Sequence, residues 1–538
     1  MASPLIDAKS AWMDQARGTR SEAGQQGSWE DAGMESRRVS YRKFSQYVRK
    51  FNPDRLLEKI AQISAELERA QSERESTRWP DNSSVHQFSL ALVARTAIID
   101  GENRRKRRVD KPVTDSEIHY LCAQAIELDH PDVPKRGILD DRALTRMMAR
   151  LIYHQGLFGY SNFENITRTF GVLVDHDPEV RGLPSPHQWE NALGVSLPAY
   201  VAIMFHLAAA ANAGSGWVTI DDIQVGVNAG AFAGADLDTV LKIIRRDLSA
   251  DVHTHRALGK QQQLAGAEMW SFNPLMAKPL VSRGDRFLLP VHDYLIQKMT
   301  SLGLYFTGIA HFGDDFPRAL GDSFEKYVGR HLALLEAAGA AVHPEVTYGK
   351  DTKKTVDYFV VFEEVVVLVE VKGMRANALA KAGIDAGLEQ LVDKVQGARN
   401  QIDKTAKLIK DRIPELAFIP ADREIRGLVV TMEPVHQIDT FLYRDMFKAN
   451  TIESATAGAH DLERICPTLA AASNPGARLL AALTFADPTP PDLGRAVEGV
   501  EGVRNPVLDE LWDGWSACLP AKPITPESYY RRKTSVVH

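Results

Sequence analysis

The sequence predicts an α/β core preceded by a large, mainly α-helical N-terminal region. Residues 355–373 hold two apolar, valine-rich strands separated by a short acidic turn. Amphipathic helices precede and follow these strands, at residues 321–339 and 385–411, because their apolar side chains recur at helical spacing. Residues 84–250 show mostly helical patterns. Together these observations favour an α/β domain with helices attached on its N-terminal side.

Length and composition indicate a globular chain with several cores. The chain has 538 residues, of which 44% are hydrophobic, so two to four domains are expected. Its three cysteines, Cys122, Cys466 and Cys518, are far apart, which argues against a disulfide framework and suits a reducing cytoplasm. The most apolar helix is too short and too polar to cross a bilayer. We therefore expect a cytoplasmic protein without a membrane segment.

The pattern divides the chain into five segments. They are a polar arm and N-terminal helix at 1–80, a helical domain at 81–195, a winged-helix-like unit and connector at 196–310, an α/β domain at 311–450, and a C-terminal extension at 451–538. On the first helix, Leu56, Ile60 and Ile63 form an apolar seam that favours packing against the body over oligomerisation.

Nucleic-acid contact requires local positive patches, because the formal net charge is −6. The first candidate patch is Arg104, Arg105, Lys106, Arg107 and Arg108, and the second is Arg245 and Arg246. The segment 40–50, which mixes Arg and Lys with aromatic residues, is comparable to the first, although it could equally be an amphipathic helix that docks its aromatic side chains. The first run has no interleaved aromatic residues, so a solvated loop remains an alternative to phosphate binding. The second lies on the last helix of the winged-helix-like unit, a pattern that also serves protein contacts.

The two valine-rich strands bring charged side chains together. Glu370 and Lys372 project from the same side of their strand, about 6 to 7 Å apart along the backbone. A hairpin turn at Glu363 and Glu364 would bring Asp357, on the first strand, next to Glu370. Two carboxylates and a lysine would then converge, although a solvated ion pair at the end of an ordinary sheet is the alternative interpretation.

Such a cluster suits a hard divalent cation. Mg²⁺ is usually held by one or two carboxylates and keeps several waters, one of which can become a nucleophile. Lys372 beside that water could orient it and stabilise the extra negative charge on a pentacoordinate phosphorus. This is the chemistry of phosphodiester hydrolysis, with Mg²⁺ as the expected cofactor and Mn²⁺ as a substitute.

The sequence V-D, followed by E-V-K after a second hydrophobic strand, resembles the PD-(D/E)XK nuclease superfamily, which has the restriction-endonuclease-like fold. The resemblance covers residues 315–435 and includes the order αβββαβ, which implies a mixed central sheet. Val356 occupies the position at which the family name has proline. The E-x-K tripeptide is frequent by itself, so the order of charged residues after an acidic helix carries the resemblance.

The resemblance implies specific roles for residues of this chain. Asp357, Glu370 and Val371 would hold the metal, and Lys372 would be catalytic. Glu325 would be the carboxylate of the preceding helix, although acids on exposed helical turns are also ordinary. A glutamine on the following helix would support the site or substrate, with Gln401 favoured and Gln396 second.

The expected function is therefore a metal-dependent phosphodiesterase, a DNA endonuclease in a setting of bacterial defence or restriction. Two alternatives stay open: an inactive nuclease-fold scaffold or nucleic-acid-binding subunit, and an RNA nuclease, because the same chemistry cleaves either backbone. The chain has no G-x-x-x-x-G-K-[ST] loop, so a protein partner would supply any motor or sensor. A homodimer is expected by analogy with other nucleases of this fold.

Overall fold

The computed structural model describes residues 39–73, 79, 83–101, 111–128, 140–158, 162–232, 234–350, 352–486 and 489–518. The predicted contact residues Arg104, Arg105, Lys106, Arg107 and Arg108 lie outside this set. The same holds for most of the predicted polar arm.

The described residues form a mixed α/β structure in which helices predominate. The α-helices are α1 (Tyr41–Val48), α2 (Pro53–Glu73), α3 (Gln87–Asp100), α4 (Asp115–Ile126), α5 (Asp141–Gln155), α6 (Asn162–Leu173), α7 (Pro186–Leu193), α8 (Leu197–Ala213), α9 (Ile220–Asn228), α10 (Leu237–Ile243), α11 (Val252–Gln261), α12 (His292–Lys298), α13 (Ser301–Phe312), α14 (Phe316–Leu332), α15 (Ala378–Lys381), α16 (Asp385–Lys410), α17 (Phe441–Arg444), α18 (Ala459–Ala470), α19 (Pro475–Leu483) and α20 (Pro506–Cys518). Several begin at a capping side chain; for example, Thr114 and Glu117 form a reciprocal capping box at α4.

The strands belong to three sheets. They are β1 (Trp217–Thr219), β2 (Ser249–Ala250), β3 (Leu280–Arg283), β4 (Arg286–Leu288), β5 (Ala341–Pro344), β6 (Thr347–Tyr348), β7 (Lys353–Lys354), β8 (Tyr358–Val361), β9 (Val365–Lys372), β10 (Glu424–Thr431) and β11 (Ser454–Gly458). The central sheet has the order β11-β10-β9-β8-β5, a second sheet has the order β1-β4-β3-β2, and β6 and β7 form a two-stranded sheet.

The central sheet is mixed. Strands β5, β8 and β9 pair antiparallel, whereas β9, β10 and β11 pair parallel. β9 is the middle strand, and its continuous apolar run fits a position covered on both faces. The predicted hairpin between β8 and β9 is confirmed, and the N–H of Phe362 donates to the carbonyl oxygen of Val365 at 2.9 Å to close it.

Helices cover both faces of this sheet. Alternate residues of β9 point to opposite sides: Leu368 contacts the core formed with α16, whereas Val369 belongs to the core shared with α14. The predicted helix at 385–411 is confirmed as α16. The predicted helix at 321–339 is confirmed as the second half of α14, continued by a 3-10 turn that ends at Gly339, whose φ is 90°.

The sheet extends beyond residue 450. β11, at 454–458, pairs with β10, and α18 to α20 pack into the same core as α14. Within this core, a buried ion pair joins Arg168 on α6 to Glu463 on α18, with the Nε to Oε1 distance at 2.6 Å, and the hydroxyl of Tyr327 on α14 donates to the same oxygen at 2.6 Å. Segments that precede and follow α14 in the chain therefore hold this helix in place.

The N-terminal helices form a second core. Leu56, Ile60 and Ile63 of α2 are completely buried in it, which confirms the predicted packing against the body. Helix α5 docks on the central domain, where the Nε of Arg142 lies 3.0 Å from a carboxylate oxygen of Asp385. Among the described residues, no single helix is long and apolar enough to cross a membrane; only α7 and α8 taken together pass that test, and they are bent by 48°.

Candidate active site

The two strands of the β8–β9 hairpin bring Asp357 and Glu370 together. Tyr358 pairs with Val369, and the same register continued by one residue sets Asp357 opposite Glu370. Asp357 lies in the bend immediately before β8, not within the strand as predicted. Its carboxylate oxygen Oδ2 accepts a hydrogen bond from the N–H of Val371 at 2.6 Å, so the side chain is fixed against β9.

Lys372 completes the predicted convergence. The Nζ of Lys372 lies 2.5 Å from Oε1 of Glu370, as the period of the strand predicts for two residues on one face. The Glu370 side chain is 7% exposed and that of Lys372 is 37% exposed. The lysine therefore reaches from a buried carboxylate towards the surface of the site.

The carboxylates resist ionisation in the absence of a cation. Burial, and after it the negative charge of Asp357, together raise the pKa of Glu370 to about 7 against the opposing charge and hydrogen bond of Lys372. Burial also raises the pKa of Asp357, against the hydrogen bond from Val371 and the charge of Lys372. Shifts of this kind are common where a protein assembles groups for chemistry instead of stability.

Glu325 lies beside this pair. It is on α14, and the hydroxyl of Tyr358 donates to its main-chain carbonyl oxygen at 3.2 Å, which connects the helix to the start of β8. Burial raises the pKa of the Glu325 carboxyl to about 7, with further contributions from Asp357 and Glu345. The structure therefore groups Glu325 electrostatically with the carboxylates of the strands.

A small basic hairpin forms the rim of the site. Strands β6 and β7 carry Lys353 and Lys354 and are joined by a turn that includes Lys350. The Nζ of Lys354 lies 2.8 Å from a carboxylate oxygen of Glu345, and this contact, with smaller contributions from the carboxylates of the site, raises the pKa of Lys354. These lysines are not among the residues predicted from the sequence, although the run K-D-T-K-K immediately before the Asp357 segment is a usable signal.

The residues of the site fit a partly hydrated divalent cation. Oε2 of Glu370 is buried and has no hydrogen-bond partner within the part of the chain that the structure describes. A buried oxygen in this state is costly unless a cation or a proton neutralises it. Across the described ranges, no group of three or more His, Cys, Asp and Glu side chains could hold a metal ion. Asp357 and Glu370 form a set of two, and Mg²⁺ is usually held by one or two carboxylates while it keeps several waters.

No protein-family model and no curated protein matches this chain.

The two glutamines of α16 have different surroundings. The Nε2 of Gln401 donates to the carbonyl oxygens of Lys354 and Thr355, at 2.6 and 3.0 Å, and so fixes the backbone that leads to Asp357. Gln396 is bonded to Asn450 and to the main-chain N–H of Lys448, away from the site residues. Of the two, Gln401 has the connection to the site, through the backbone.

The second basic patch lies on a separate element. Arg245 and Arg246 are in a π-helical turn, Ile244–Leu248, that follows α10 and leads to the four-stranded sheet. Arg245 is exposed, whereas Arg246 binds the carboxylate of Asp247 at 2.6 Å and donates to two main-chain carbonyl oxygens of α7. Their predicted contact with nucleic acid stays a prediction, and Arg246 would have to exchange these partners to make it.

Proposed function

We propose that this chain is a metal-dependent nuclease of the restriction-endonuclease-like fold that hydrolyses the phosphodiester backbone of DNA. The observation that carries the proposal is the convergence of Asp357, Glu370 and Lys372 at the ends of two adjacent strands, beside the helix of Glu325. The order of α14, β5, β8, β9, α16 and β10 supports it, because it has the αβββαβ sequence of elements within a mixed sheet.

Asp357 and Glu370 would hold Mg²⁺, and the main chain of Val371 remains the predicted third contact. When bound, the ion supplies a water of lowered pKa and positive charge close to the phosphate. The buried Oε2 of Glu370, which has no hydrogen-bond partner among the described residues, supports this assignment, because ion binding would satisfy it. The hydrogen bond from Val371 leaves the second oxygen of Asp357 for the same purpose.

Lys372 and Glu325 would act on the substrate side. The ammonium of Lys372, held 2.5 Å from Glu370, adds fixed positive charge where negative charge develops on phosphorus. A carboxyl with a pKa of about 7, such as Glu325, can accept a proton near neutral pH. Hydrolysis adds hydroxide to phosphorus and delivers one proton to the leaving oxygen, so a group able to exchange protons beside the site is useful.

Positively charged side chains beside the site offset the negative net charge of the chain locally. Lys350, Lys353 and Lys354 lie on the β6–β7 hairpin at the rim of the site, and Lys404 of α16 lies 5.7 Å from the ring of Tyr348 on β6. These side chains offer phosphate contacts next to the carboxylates. The proposal thus does not depend on the overall net charge of −6.

The experiment is cleavage of supercoiled plasmid, linear duplex, single-stranded DNA and RNA by the purified chain, with Mg²⁺, Mn²⁺ or EDTA. Lys372→Ala removes the proposed catalytic ammonium, and Lys394→Ala, an exposed lysine of α16, serves as the matched control. We expect metal-dependent cleavage of DNA that the first variant loses and the control keeps. Cleavage of RNA alone would redirect the proposal to RNA, and equal activity of Lys372→Ala and wild type would contradict the mechanism.

A further inference from the structure

An arginine and two aromatic rings form a cluster on the segment that leaves the active site. The guanidinium carbon of Arg375 lies 4.1 Å from the ring centroid of Tyr305 and 4.4 Å from that of Phe306. The two rings are nearly perpendicular, with centroids 5.6 Å apart. The Arg375 side chain also donates to the carbonyl oxygen of Leu302 at 3.4 Å. We call Arg375, Tyr305 and Phe306 the aromatic platform.

Phe306 remains open although Arg375 covers part of it. Its side chain is 59% exposed, the highest value among the large exposed hydrophobic side chains within the described residues. Burying such an apolar ring in a protein core would be favourable, yet the Phe306 ring faces solvent. The neighbouring ring, that of Tyr305, is half-buried. The guanidinium and the neighbouring ring fix the orientation of Phe306, so a flat ligand could stack on it at little entropic cost.

The platform is close to the proposed catalytic residues. Arg375 is three residues after Lys372, so their Cα atoms are at most about 11 Å apart. A Cβ added at Gly373, between them, would lie 3.1 Å from the Cα of Gly321 in α14, the helix that carries Glu325, so the two backbones approach closely here. The platform helix, α13, packs through Gly308 against Phe316 at the start of α14. The platform and the carboxylates therefore belong to one packed unit.

We propose that the aromatic platform binds an unpaired base of single-stranded DNA next to the site of cleavage. This inference rests on the proposed nuclease function and specifies its substrate: DNA whose strand is unpaired near the scissile phosphate. An exposed ring with an adjacent guanidinium matches both chemical features of a nucleotide, because the base stacks on the ring and the positive charge faces the phosphate. Paired bases are already stacked on their neighbours, so intact duplex cannot use the ring.

The test measures stacking separately from cleavage. A single-stranded oligonucleotide that contains 2-aminopurine is titrated in EDTA with Lys372→Ala protein, so that no strand is cut. Stacking on Phe306 quenches the fluorescence of this base. We expect Phe306→Leu, which keeps an apolar side chain but has no ring, to reduce the quenching and to weaken binding by about 5- to 100-fold. Phe306→Trp should restore both.

The matched control is Phe418→Leu, since Phe418 is also exposed, at 46%, but its ring packs on His343 and Phe359 elsewhere. This variant should bind as wild type does. Unchanged quenching and affinity in Phe306→Leu would overturn the proposal. Equal weakening by Phe418→Leu would do the same, because it would show a general effect of surface apolar groups.

The cleavage assay separates this inference from the proposed function. If wild type cuts DNA and Phe306→Leu cuts single strands and blunt duplex with an unchanged preference, the platform is wrong and the nuclease proposal stands. If no DNA is cut but quenching depends on Phe306, the platform binds bases as proposed, whereas the catalytic proposal and the placement of the platform beside a cleavage site both fail. Loss of single-strand preference in Phe306→Leu, with duplex cleavage unchanged, is the result we expect.

Discussion

The substitution Glu370→Gln should stabilise the metal-free protein while it abolishes cleavage. Glu370 is 5% exposed, and burial is the main cause that raises its pKa from the ordinary 4.5 to about 7. Its folded form therefore holds a proton more tightly than its unfolded form does. The stability contributed by this proton is fully present below pH 4.5 and is lost as the pH rises through about 7.

The size of this stability difference follows from the shift in the pKa of Glu370. A change from 4.5 to about 7 corresponds to roughly 3 kcal/mol of destabilisation once Glu370 is ionised. Glutamine has nearly the shape of the protonated acid and carries no charge, so it avoids this cost. The advantage of the variant over wild type should grow by about 2 to 3 kcal/mol between pH 5 and pH 8 in EDTA. Loss of the contact to Lys372 reduces this stability advantage only slightly, because the ammonium group of Lys372 can reach water.

Hydrogen exchange of the β9 peptide, followed by mass spectrometry over this pH range, measures the effect locally. Global unfolding of a chain with several cores need not be two-state, so a local measurement is preferable. Glu363→Gln, on the exposed turn of the same hairpin, is the control and should change protection by less than about 0.5 kcal/mol. An advantage of Glu370→Gln that is independent of pH, or a destabilised variant at pH 8, would refute the reasoning.

Four further outcomes are expected. Asp357→Ala should weaken Mn²⁺ binding in calorimetry at least tenfold, because it removes one of two carboxylate ligands, whereas Lys372→Ala should leave Mn²⁺ affinity nearly unchanged and lose cleavage. Glu325→Gln should reduce the rate partially and remove the part of the pH-rate profile that rises near pH 7, because its carboxyl can no longer exchange a proton. Lys353→Ala should reduce the slope of log affinity against log salt by about 0.9 on duplex DNA for one lost phosphate contact. Glu463→Ala should lower the protection of the α14 peptide against hydrogen exchange by about 3 to 5 kcal/mol, since it leaves a buried arginine without its counter-charge.

Each of these outcomes has a result that contradicts it. Wild-type affinity for Mn²⁺ in Asp357→Ala would show that the Asp357 carboxylate is not a metal ligand. An unchanged pH-rate profile in Glu325→Gln would reduce that residue to a structural role. An unchanged salt dependence in Lys353→Ala would exclude the β6–β7 hairpin from the DNA contact. Unchanged protection of the α14 peptide in Glu463→Ala would show that the ion pair does not hold α14.

The central features of the site could be predicted because they are local. The hairpin places Asp357 against Glu370 through a turn of two acidic residues, and strand alternation alone sets Glu370 and Lys372 on one face. The bounds of α16 were also close to the expected ones, since periodic apolar residues mark them clearly. The position of Asp357 outside the strand was harder to predict from the sequence. The N–H of Val356 donates to the side-chain oxygen of the distant Thr405, and the β8–β9 ladder starts one residue after Asp357.

The sequence by itself determined the order of elements, the pairing of the β8–β9 hairpin and the charged residues that it presents. Only the tertiary structure decided that β11 extends the sheet beyond residue 450, that Arg168 and Glu463 hold α14, and that Phe306 lies against Arg375. Local conformation depends on neighbours within one turn or strand pair, which a sequence pattern records. Contacts between distant segments depend on which apolar faces bury one another, and many pairings satisfy the same pattern until the whole core is packed.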